Sequence, residues 1–138
     1  MKDYTNPADS KTPTECRLLK RIPNSSDYEP QVGSSLIMAR RSPALCSLLH
    51  TYKVYVTGGI QNGISLATTE IYDVRVDSWI PGKSMNVARS SHGSCVTETG
   101  TVYVFCGCNH LQGFLNSIEK LSVNGSSWEM IDVPAGSL

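Results

Sequence analysis

From about residue 36 the chain is a succession of short apolar runs set between Gly, Ser, Asn and Asp. The runs cover residues 44–49, 53–57, 69–72 and 78–80, then 93–97, 101–105, 117–121 and 127–131. They are rich in Val, Ile, Tyr, Trp and Thr, side chains that suit a pleated, half-buried surface. No window of eleven or more residues carries a helical stripe. The pattern predicts an all-β region of eight strands in two sets of four.

The first 30 residues differ in texture. They hold ten charged side chains and four of the seven prolines, Pro7, Pro13, Pro23 and Pro30. Such a stretch buries too little apolar surface to offset its ordering entropy. Residues 1–36 are therefore expected to form a flexible polar leader, in which only 16–22 has the pattern of a strand. A short tail is expected at 134–138.

Two sets of four strands call for a search for repetition. Sliding the chain by 48 aligns Arg41-Ser42 with Arg89-Ser90, Val54-Tyr55-Val56 with Val102-Tyr103-Val104, and Gly59 with Gly107. A slide of 49 then aligns Leu66 with Leu115, Glu70 with Glu119 and Ser78-Trp79 with Ser127-Trp128. The change of offset places a loop of variable length between the Gly and the Leu.

In order, the first unit reads Met38-Ala39-Arg40-Arg41, Val54-Tyr55-Val56-Thr57-Gly58-Gly59, Glu70-Ile71-Tyr72-Asp73 and Trp79. The second reads Met85 to Gly93, Val102-Tyr103-Val104, Gly107, Asn116-Ser117-Ile118-Glu119 and Trp128. With a spacing of about 50 residues, this pattern resembles the kelch repeat. Its departures are Cys106-Gly107 in place of a Gly pair and Leu121 in place of the repeat Tyr. The resemblance implies two four-stranded blades of a β-propeller, at 37–84 and 85–133, with further blades to come from a longer chain or other subunits.

Structural roles are expected for Arg41, Gly58, Gly59, Glu70, Tyr72, Trp79, Arg89, Gly107, Glu119 and Trp128. A buried carboxylate must be paired or hydrogen-bonded, and Arg41 and Arg89 are the candidate partners of Glu70 and Glu119. Both tryptophans are expected to bury ~150–250 Å² between adjacent sheets. The resemblance also implies a protein-binding face at Ser42, Pro43, Ile60 and Asn62 in the first blade. In the second it implies Ser90, Ser91, Cys108 and His110. This set carries no charge, so it lacks the Arg cluster that captures acidic motifs.

Composition narrows the function further. Twelve Lys and Arg balance twelve Asp and Glu, which argues against nucleic-acid binding and against a polybasic membrane surface. No apolar run approaches the ~20 residues of a membrane span. Five cysteines without a signal-peptide pattern point to a reducing, cytoplasmic setting. Cys106, Cys108 and His110 form the one cluster of metal-ligand types, but a one-residue spacing without a second pair does not make a zinc site. No catalytic motif is found, and no cofactor or metal is expected. The reading is a non-enzymatic protein-interaction module; its alternatives are a metal or redox site at Cys106, Cys108 and His110, or a propeller fragment without independent function.

Overall fold

The computed structural model describes residues 16–48, 51–134 and 136. Residues 1–15 of the expected leader and 135, 137 and 138 of the expected tail lie outside the described residues. The strands, in order, are β1 (Cys16–Arg21), β2 (Tyr28–Gly33), β3 (Ala44–Leu48), β4 (Lys53–Thr57), β5 (Ile60–Gln61), β6 (Ile64–Ser65) and β7 (Thr69–Asp73). There follow β8 (Ser78–Pro81), β9 (Gly93–Val96), β10 (Val102–Phe105), β11 (Cys108–Asn109), β12 (Gly113–Phe114), β13 (Ile118–Leu121) and β14 (Glu129–Ile131). No helix occurs among the described residues, so none is long and apolar enough to cross a membrane.

Two antiparallel sheets of four strands form the blades, β3-β4-β7-β8 and β9-β10-β13-β14. They occupy the eight apolar runs, and the fold is all-β as the pattern predicts. Within the leader, β1 pairs with β2 rather than with a blade, and Pro30 lies opposite Leu19. A strand with no second neighbour accommodates a residue that cannot donate to a ladder.

Alternation sends successive side chains to opposite faces of a sheet. On the first blade, Cys46, Tyr55 and Ile71 share one face across the register. On the second, Ser94, Val104 and Glu119 do so. These two faces meet. Val102, Val104, Leu121, Met85 and Trp128 form the buried core, with Cys46, Leu48, Tyr55 and Ala67 packed against it. Each fully buried Val or Leu contributes roughly 1.5–3 kcal/mol relative to exposure.

Each blade is preceded by an extended strap, residues 34–40 and 83–89, held by its own sheet. In the first, Glu70 accepts hydrogen bonds from the Ile37 and Met38 amides at 2.7 and 2.9 Å. In the second, Glu119 accepts them from Asn86 and Val87 at the same distances. Trp79 and Trp128 each donate an indole N–H at 2.8 Å to a strap carbonyl, of Ser34 and Lys83 respectively. The tryptophans differ in burial. Trp128 is 3% exposed, whereas Trp79 is half-buried and lies against the Tyr72 ring at 4.8 Å. Only Trp128 is enclosed by a neighbouring blade, so the equal burial expected of the two does not hold.

The pairing of Glu70 also needs correction. Its cation is Arg40, not Arg41. Arg40 and Arg89 donate to equivalent acceptors, namely the carbonyls of Gly58 and Thr68, and those of Cys106 and Ser117. The connection from β3 to β4 is one residue longer than that from β9 to β10, counted between the paired residues Ser47 and Val54 and between Val96 and Val102. An offset of 48 is right for the second strand of each blade but one short for the strap before it.

Candidate interaction face

The connections after β4 and β10 fold back as miniature hairpins, β5-β6 and β11-β12. In the first, Asn62 and Gly63 have φ of 50° and 79°, the left-handed pair that a two-residue hairpin turn requires. In the second, Asn109 pairs with Gly113, so the turn holds His110, Leu111 and Gln112, one residue more. This is the variable loop expected between the repeat Gly and Leu.

Both hairpins join the segments that follow the straps. Arg41 bridges to Ile60, and Ser90 bridges to Cys108. The blades are stitched together along the same end of the sheets. Gly59 and Ser91 donate backbone bonds to the carbonyls of Arg89 and Ser42, at 2.9 and 3.0 Å. Ser65 donates its amide to His110 Nδ1 at 3.0 Å, and the His110 amide donates to Ser65 Oγ at 3.0 Å. Gly58 makes this approach possible. Its φ is +61°, and a Cβ there would lie 2.2 Å from the Arg89 carbonyl oxygen, a backbone atom with nowhere to retreat.

The structure gathers most of the expected face. Ser42, Asn62, Ser91 and His110 are exposed, and Pro43, Ile60 and Cys108 are half-buried. Ser90 departs from the expectation, because it is 2% exposed and bonded to Cys108 through its backbone. It supports the face without lining it. Sequence reasoning missed Ile64, Leu111 and Phe114, which are 54%, 83% and 93% exposed. The available signal was an apolar residue beside each hairpin tip, with Asn62-Gly63 marking the first tip.

Residues 58–69 and 106–117 contain no Asp, Glu, Lys or Arg. The guanidinium groups of Arg40 and Arg89 lie below the face in buried ion pairs. His92 is buried beside them, its Nε2 2.9 Å from Thr57 Oγ1 and its Nδ1 without a partner. Burial, with the charge of Arg89, lowers the pKa of His92 to about 4, so it is neutral near pH 7.

Among the described residues, no three His, Cys, Asp or Glu side chains gather where they could hold a metal ion. His110 has its Nδ1 already engaged by the Ser65 amide. Cys46, Cys95, Cys106 and Cys108 are free thiols.

Known proteins share this pattern. The family model described as Kelch motif matches residues 44–86. Kelch-like protein 33 of Homo sapiens is 28% identical over 120 residues, which covers 84% of this chain and 22% of the relative. The solved structure of YjhT shares the fold at a TM-score of 0.71 and 15% identity, over 88% of this chain and 46% of that one. The chain thus spans about a fifth of the curated relative and under half of the solved one. It is a kelch-repeat chain, made of two blades of the propeller type.

Proposed function

We propose that this chain is a non-enzymatic interaction module that binds a protein partner through the loop face of its two blades. One observation carries the reading. The loops of both blades are bonded into one continuous, charge-free surface from which Ile64, Leu111 and Phe114 project. Contiguous exposed apolar groups of this kind mark interaction sites. The kelch-like relative supports the same class, because kelch propellers present such loops to partner proteins. The free thiols suit a reducing compartment such as the cytoplasm.

Site-specific photo-crosslinking in cells tests the proposal. A photoreactive residue at Asn62 or Gln112 is expected to give discrete protein adducts. The same group at Val76 or Asn124, in turns at the opposite ends of the strands, is expected to give none. Equal labelling from both ends, or none from either, overturns the reading.

A further inference from the structure

The interface between the two blades has two halves, and each half recurs, uncovered, on the outer side of the pair. The first half is the β3-β4 face, with Cys46 opposite Tyr55 and Ala44 opposite Thr57. The same positions on the second blade are Cys95 opposite Tyr103 and Gly93 opposite Phe105. Two of the residue types are identical, yet their surroundings differ. Thr57 is 0% exposed beneath the second blade, whereas Phe105 is 38% exposed and Cys95 is also exposed.

The other half is the face that the second blade turns toward the first. There Val102, Met85 and Trp128 are 1%, 4% and 3% exposed. Their equivalents on the far side of the first blade are Val54, Leu36 and Trp79, all only half-buried. Beside them Leu45 is 60% exposed. The β1-β2 hairpin is not packed into this gap, since Tyr28 to Val32 are all exposed.

We infer that a second copy of this chain docks head to tail, its Leu45–Val54–Trp79 face seated on the Cys95–Tyr103–Phe105 face of the first. The occupant follows from continuity with the interface already present. The pair carries both complementary halves, so repeating the same contact needs no other protein. A contact of this kind joins two different patches and leaves one of each free, so copies add until the rotation closes a ring. Position 106 shapes the fit. Cys106 has φ of 58°, like Gly58, but bears a Cβ where Gly58 leaves room for the next strap. A separate copy, without a covalent strap to thread there, can seat displaced by that one group.

Sedimentation of the full 138-residue chain at micromolar concentration tests this, together with Cys95→Glu and Leu45→Glu. Each variant puts a charge on one exposed half-interface and leaves the other intact. The parent is expected to sediment at a multiple of 15.0 kDa, and each variant alone as a single chain. Mixing the two variants restores one intact contact per pair and is expected to give a species of two chains that grows no further. A monomeric parent, or variants that assemble as the parent does, overturns the proposal. So does a mixture that stays monomeric.

Discussion

Arg89 and Glu119 meet at 3.0 Å with both side chains fully shielded from solvent. The carboxylate also receives the Asn86 and Val87 amides and the Asn86 side-chain amide. The ion pair therefore lies inside a hydrogen-bonded shell that ties the strap to its sheet. Removing one partner leaves a buried charge uncompensated, which costs ~3–5 kcal/mol. Glu119→Ala and Arg89→Ala are each expected to lose that much in denaturant unfolding, with Glu70→Ala and Arg40→Ala following the same pattern. A loss below about 1 kcal/mol, the range of exposed pairs, would contradict this role.

The tryptophans should separate. Trp128→Ala empties a site enclosed by both blades and is expected to cost ~3–5 kcal/mol. Trp79→Ala removes a half-buried ring and is expected to cost clearly less. Thermal melts of the two variants check the order, and equal losses would contradict the one-sided enclosure.

Gly58→Ala is expected to destabilise the blade contact. The new Cβ meets the Arg89 carbonyl oxygen at 2.2 Å and His92 Cε1 at 2.7 Å, and overpacking alone costs ~1–3 kcal/mol. Gly63→Ala meets nothing within 4 Å, so it carries only the strain of its positive φ. A larger melting-point loss at 63 than at 58 would refute the steric argument.

How much of this was legible in the sequence depended on the kind of signal. The blades were, because alternating Val and Tyr, the Gly pair and Trp recur in order. Arg40 was hidden by its neighbour. With two arginines side by side, a one-residue difference in the turn before Val54 cannot be detected by sliding the chain. The Ile37 and Met38 amides on Glu70 left no trace, since backbone donors have no residue signature. The β1-β2 hairpin was obscured by Pro30, which reads as a strand breaker although β2 tolerates it. On the loop face, Leu111 and Phe114 were missed because the repeat pattern directs attention to the positions just after the Gly.

Acid should weaken the fold through His92. Its folded-state pKa of about 4 lies below the ordinary 6.5, so the unfolded chain takes up the proton first. Stability is full above about pH 6.5, falls as pH drops toward 4, and the loss levels off below that. It amounts to at most about 3 kcal/mol. Denaturation midpoints of the parent and His92→Gln, measured from pH 8 to 4, check this. The variant is expected to lose the decline between pH 6.5 and 5, where carboxylates are still ionised. Parallel curves would exclude His92 as its source.

Native-state hydrogen exchange at Ile37, Met38, Asn86 and Val87 tests the strap locks most directly. All four amides donate to buried carboxylates, although they lie in irregular segments between strands. They are expected to exchange only with global unfolding, at the same free energy as the amides of β10 and β13. Exchange at the rate of open loop amides, while β10 and β13 stay protected, would contradict the claim that the Arg–Glu pairs hold straps and sheets as one unit.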